Sequence, residues 1–598
     1  MFQNESSFII SAIKINRPFK EIKDLSQQSL SLNYSFSQSQ KKMIKYFQVL
    51  FISCFCLQTV SSVNAQIFRA PQEFTHQDTL RGSNTPDRAW WDLEHYQLNL
   101  KVDPTTKSIS GSNLMTYKVI DDSKRIQIEL QEPMKLVKAI QNEEELPIEK
   151  DGYSYFITPS SNQEIGKSYQ INLIFEGSPV IAVRPPWDGG LTWSQDSNGL
   201  PFIANSNQGI GASIWWPNKD YAADEPDNGV LMAVEAPENL MDVSNGRLIK
   251  TDHDKKAKTK TYHWEVKNPI NNYGININIG DYVHFGEKFE GEKGTLDMDY
   301  YVLKENLDKA KTQFKDAPKM MKAFEHWFGP YPFYEDSYKL VETPYLGMEH
   351  QSSVTYGNNY ANGYLGRDLS GTGWGLKFDF IIIHESGHEW FANNITYKDV
   401  ADMWIHESFT AYSENLFLDY YYGKEASSEY VIGTRKNINN DIPIIGPYGV
   451  NQEGSGDMYY KGANMLHTIR QIVNDDEKWR MILRGLNEEF YHQTVTSKQI
   501  ETYISEKADI NLSSVFDQYL RDIRIPILSY FVQDNKLFFR WENAIQTFTM
   551  PVKVNINSEK EIWLNPTTRW DSMELPSSKI QLTVDPNFYV GTLNLTGK

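Results

Sequence analysis

The chain has 598 residues, 40% hydrophobic and 23% charged, with a formal net charge of −18. That length supplies material for several domains and ample core, and the two fractions are those of a soluble globular protein. The acidic balance argues against a nucleic-acid or anionic-membrane surface.

Residues 1–42 are polar, Ser/Gln-rich and unpatterned, and read as an upstream over-extension ahead of Met43. Residues 43–65 have a basic start, an apolar run from Tyr46 to Leu57, and small residues at Val63 and Ala65, the pattern of a signal peptide. The mature protein is therefore expected to be exported, periplasmic or secreted. No segment approaches the roughly 18 apolar residues of a membrane helix, so no membrane span is expected. Both cysteines, Cys54 and Cys56, would leave with the signal, removing disulfide and thiol chemistry. A lipid anchor on Cys54 is the weaker reading, because Cys54 lies only eleven positions after Met43. Residues 1–65 carry seven Lys/Arg and three Asp/Glu, so their loss moves the net charge from −18 to −22. Residues 66–84 are polar, without periodicity, and expected to be a flexible lead.

From Trp91 short alternating segments dominate, among them 125–130 and 169–175, and predict a β-rich domain over 85–303. Their pattern leaves a saddle or a sandwich open. Spacing of three and four through Leu307, Ala310, Phe314, Ala317, Met320, Met321, Phe324 and Trp327 then predicts helix, ended by the Gly-Pro-Tyr-Pro at 329–332. A strand over 337–342 and a Gly/Asn/Tyr-rich loop to Gly375, expected to shape a cleft entrance, lead to a predicted helix reading from Gly375 to Ala392. Helical spacing resumes from Ala463 to Leu520, and alternating strands from Ile527 predict a C-terminal β-sandwich over 523–598.

The helix at 375–392 carries His384, Glu385 and His388. On a helix the two histidines share a face, one turn apart, and can bind one ion, while Glu385 lies about 100° away, placed to take a proton from water rather than to ligate. Ile381, His384, His388 and Phe391 form one stripe, and for the histidine pair alone core packing is an equal reading. Glu407 supplies a third ligand, nineteen positions after His388, completing the two-His, one-Glu set of a catalytic zinc site. Ala401 or Asp402 is the expected cap of its helix. Glu414 shares the face of Glu407 and is the candidate hydrogen-bond partner of a ligand histidine, with a solvated carboxylate as the competing reading. His406 adjoins Glu407 but points about 100° away and is not counted as a ligand.

This arrangement, with Glu407 inside Trp404-Ile405-His406-Glu407-Ser408-Phe409, resembles the aminopeptidase N and leukotriene hydrolase family of gluzincin zinc metallopeptidases. Tyr459-Tyr460-Lys461-Gly462 is similar to the Tyr-x-Lys-Gly segment that follows the metal motif in that family, Gly347-Met348-Glu349-His350 to a shortened form of the Gly-x-Met-Glu-Asn that precedes it, and Gln208 to a glutamine further upstream. His350 and His406 stand where the family has Asn. The resemblance covers about residues 85–525. It implies an α+β multidomain protein: a saddle-like N-terminal domain, a thermolysin-like α/β catalytic domain over 304–522, and the small sandwich. It further implies one catalytic Zn2+ on His384, His388 and Glu407, Glu385 as general base, Tyr459 as oxyanion donor, and Glu349 with Gln208 holding the free N-terminus of a peptide substrate. A thermolysin-type endopeptidase and a non-catalytic peptide-binding relative are the competing readings.

Overall fold

The computed structural model describes residues 73–597 except 123, 559, 577 and 578. The over-extension, the signal peptide and both cysteines lie outside the described residues. Among the described residues no helix is long and apolar enough to cross a membrane.

The β-rich region is built on a long hairpin. Strand Trp91–Asp103 pairs antiparallel with Ser108–Val119 and parallel with Val230–Pro237, at the centre of an eight-stranded sheet. Alternation along Trp91–Asp103 buries Trp91, Leu93, Tyr96, Leu98 and Leu100 in one core with Trp215, Trp216 and Trp264. A second sheet has four strands in the order Met241–Ser244, Ile277–Gly280, Pro201–Ser206 and Gly190–Gln195, and Gln208 follows the third of them by two positions.

Sheet membership changes earlier than the expected limit of 303. The hairpin Tyr282–Gly291 and Gly294–Leu303 joins, through Leu303's strand, the parallel strand Tyr338–Glu342, then Val354–Tyr356 and the edge strand Gly347–Met348. Alternation continues unbroken across this change, so periodicity could not mark it. Helices Leu307–Gln313 and Asp316–Phe328 follow, the second burying Met320, Met321, Phe324 and Trp327 as their spacing predicts. Beyond Leu520 a four-stranded and a three-stranded sheet pack through Leu528, Trp541, Val552 and Val554, the expected sandwich.

The expectation of a flexible lead is corrected over its described part. His76–Gly82 is a helix with a capping box, Thr75 and Asp78 each accepting from the other's backbone. Arg81 donates to the carbonyl of Ile210, and a Cβ on Gly82 would lie 2.1 Å from the carbonyl carbon of Val450. A polar sequence thus folds here by capping and close backbone approach instead of by an apolar stripe.

Candidate metal centre

The metal helix is shorter than its sequence suggests. It runs Phe380–Gly387, capped by Asp379, whose carboxylate accepts the backbone N–H of Ile381 and Ile382, and 374–376 forms only a single 3-10 turn. Asp379 is itself fixed by Tyr356 at 2.7 Å, Asn358 at 2.8 Å and Gln313 at 2.8 Å. The helix ends on His388, and Phe391 and Ala392 have non-helical backbones, so Phe391 leaves the expected stripe. That break has a use: it brings the Phe391 carbonyl to 3.1 Å from Nδ1 of His388, which donates to it.

Glu407 rises from helix Trp404–Tyr422. The expected cap at Ala401 or Asp402 is not what starts it. Asp399 caps a 3-10 turn at Val400–Asp402, and Asp402 accepts instead from Ser497 and Tyr448. Two turns beyond Glu407, Glu414 accepts from Nδ1 of His384 at 2.8 Å and from Tyr430 at 2.5 Å. Both imidazoles are thus held through Nδ1, which leaves both Nε2 atoms facing Glu407. The separations are 3.7 Å from His384 Nε2 and 3.5 Å from His388 Nε2 to Glu407 Oε2.

These residues fit a zinc ion. Ligand atoms about 2.0–2.1 Å from one ion in tetrahedral array lie about 3.3 Å apart, close to the observed spacing. Glu407 Oε2 is buried without a hydrogen-bond partner, whereas Oε1 accepts from Gln208 Nε2 at 3.1 Å. A buried carboxylate oxygen left open toward two imidazole nitrogens is what a cation would satisfy. Burial opposes the charge of Glu407, but His388 and His384 outweigh it and hold its pKa near 2.

Glu385 and Glu349 stand beside this set, each with a carboxylate oxygen within 4.8 Å of the other and of a ring nitrogen of His388. Burial pushes the Glu385 carboxyl up to about 7 against the pull of His384. Burial, then the Glu407 and Glu385 charges, raise Glu349 well above the ordinary carboxylate range. Tyr273 donates to Glu349 at 3.3 Å, and Asn393 holds its backbone carbonyl at 3.0 Å. Neither residue was legible as a site residue. Gly347 is required by contact: a Cβ there would lie 2.7 Å from Ile381 Cγ2 and 3.1 Å from Glu385 Cγ.

Tyr459 lies face-on to His384, ring centroids 6.0 Å apart and 23° between planes. Burial and the nearby Glu407 keep its hydroxyl protonated far above the usual tyrosine range. Helix Tyr460–Val473 starts at the next residue, and Gly462 lets it dock, since a Cβ there would lie 1.9 Å from Ser408 Oγ on the Glu407 helix. His406 is no ligand: its Nε2 accepts the backbone N–H of Tyr397 at 3.1 Å. His350 is buried near Thr355 at 3.3 Å, where burial lowers its pKa to about 3 and keeps it neutral. Gln208 reaches the centre, but its amide touches Glu407 and not Glu349.

Two histidines and a glutamate around one open point, with a carboxylate beside it, on this mixed fold define a zinc metallopeptidase. Residues 312–519 match the peptidase family M1 domain. It is similar to leukotriene A-4 hydrolase of Xenopus laevis, 22% identical over 455 residues and 70% of each chain. It is similar also to aminopeptidase N of Lactobacillus helveticus, 24% identical over 263 residues, which are 38% of this chain and 30% of the relative. The crystal structure of an M1 zinc metallopeptidase from Deinococcus radiodurans shares the fold with a TM-score of 0.62 at 18% identity, over 73% of this chain and 94% of that one.

Proposed function

We propose that the protein is an exported zinc aminopeptidase that hydrolyses the first peptide bond of substrates with a free N-terminus. The observation that carries this is the placement of Glu349, buried and within 4.8 Å of Glu385 and His388. A carboxylate this close to the base would meet the N-terminus of a substrate whose first peptide bond lies at Glu385. It would hold the substrate ammonium in a charge-assisted pair, which also relieves the clustered charge of Glu349, Glu385 and Glu407.

His384, His388 and Glu407 would hold the zinc, with Glu414 fixing the orientation of His384. When bound, zinc supplies Lewis acidity to the scissile carbonyl and the attacking water. Glu385 takes a proton from that water as its oxygen bonds to the carbonyl carbon, and passes the proton to the nitrogen as the C–N bond breaks. The Tyr459 hydroxyl, kept protonated, donates to the carbonyl oxygen as charge builds there. Gln208, bound to Glu407 Oε1, would fix that ligand and face the amine subsite.

A peptide with a free N-terminus should be turned over at least about 100-fold faster than its Nα-acetylated twin, a ratio that Glu349→Ala should collapse. Equal rates for the two peptides with the unchanged enzyme would contradict the reading. Export rests on the pattern at 43–65. N-terminal sequencing of protein secreted from the native host should find Gln66 first, and an intracellular chain beginning before residue 43 would refute it.

A further inference from the structure

A second feature of the cleft lies outside the catalytic machinery. Immediately upstream of Gly347, Tyr345 and Leu346 form part of the wall of an open cleft of about 510 Å3, with Phe202, Tyr360 and Trp187 around it. Along the chain the order is Tyr345 and Leu346 in the bend before the edge strand, Gly347 against Glu385, then Glu349 just past the strand. A peptide whose amine lies at Glu349 and whose scissile bond lies at Glu385 must leave in the opposite direction, toward Tyr345. At about 3.3 Å per residue beside an edge strand, its third and fourth residues reach this cleft.

The lining is acidic and aromatic. Asp196, Glu305 and Glu342 line the cleft together with Lys309, the single cation among the described residues around it. Their partners are neutral: Asp196 accepts from the backbone of Asn198 and Leu200, Glu305 from Ser197 and Asn198, and Glu342 from Leu303 and Asn306. These neutral bonds orient the carboxylates, and of the three Glu342 is buried, which raises its pKa and leaves the facing role to Asp196 and Glu305. Trp187 stands at the rim 55% exposed, although its loop is tied down by Asp188, which accepts from the backbone of Val183 and Arg184 at 2.8 and 2.7 Å. An exposed indole in the wall of the same cleft as these carboxylates suits a cationic side chain.

We propose that this cleft binds the substrate beyond the scissile bond and selects lysine or arginine at the third and fourth residues, with Trp187 and Glu305 determining that specificity. The inference rests on the aminopeptidase reading, which gives the substrate its direction. It is tested with leucyl amide and two pentapeptide amides that share their first two residues and carry either two lysines or two glutamates at positions three and four. At low ionic strength kcat/KM should favour the lysine peptide by about tenfold, and salt should shrink the ratio. Trp187→Ala and Glu305→Gln should each lower the lysine peptide about three- to fivefold and leave leucyl amide unchanged. Turnover of leucyl amide with equal rates for the two pentapeptides overturns the inference alone, as does an equal loss on all three substrates in both variants. Failure to release leucine from any of them overturns the aminopeptidase reading with it.

Discussion

Glu385→Gln should lower kcat by about 10²–10⁴ while zinc still binds one ion per chain. The amide keeps the shape of the side chain but cannot take the proton of the attacking water, and Glu385 lies outside the set of His384, His388 and Glu407. Burial raises its carboxyl above the ordinary range, the direction a general base needs. The loss should appear in kcat and kcat/KM together, because the missing interaction exists only as the reaction proceeds. Zinc content measured by elemental analysis separates this from collapse of the site. Retained turnover in a zinc-loaded variant would remove Glu385 from the mechanism.

Tyr459→Phe should cost about 10²–10³ in kcat with little change in KM. The ring packs against His384, and phenylalanine preserves that contact, so folding and metal affinity should stay near those of the parent. Only the hydroxyl is lost. Because burial and Glu407 keep that hydroxyl protonated well past the usual tyrosine range, activity should show no alkaline limb from Tyr459 titration. A variant as active as the parent would move the oxyanion role elsewhere, with Tyr460 the adjacent candidate.

The arrangement at 384–414 was legible because it depends on local spacing: one helical turn joins His384 to His388, and two join Glu407 to Glu414. The Tyr459 and Gly347–Glu349 segments were legible only by resemblance, and the structure adds a physical reason for each glycine. Gly347 admits Glu385, and Gly462 admits Ser408. What stayed hidden is tertiary. Tyr273 reaches Glu349 from 76 positions away and Asn393 from 44, and neither stands out in a chain this rich in tyrosine and asparagine. The break after His388 was hidden for another reason. Apolar spacing carries on through Phe391, while the backbone departs from the helix to place a carbonyl on the imidazole. Likewise the helix at His76–Gly82 has no apolar stripe, and its signal was the pair Thr75 and Asp78.

In the proposed function one zinc-dependent site cuts one residue in from a free N-terminus. The most direct measurement is mass spectrometry of a single unblocked peptide over time, with zinc-loaded and chelator-treated protein, beside the same peptide acetylated. A ladder shortening one residue at a time from the N-terminus is expected, present only with zinc and only for the unblocked peptide. Internal fragments from both peptides, or a ladder that survives removal of the metal, would contradict it.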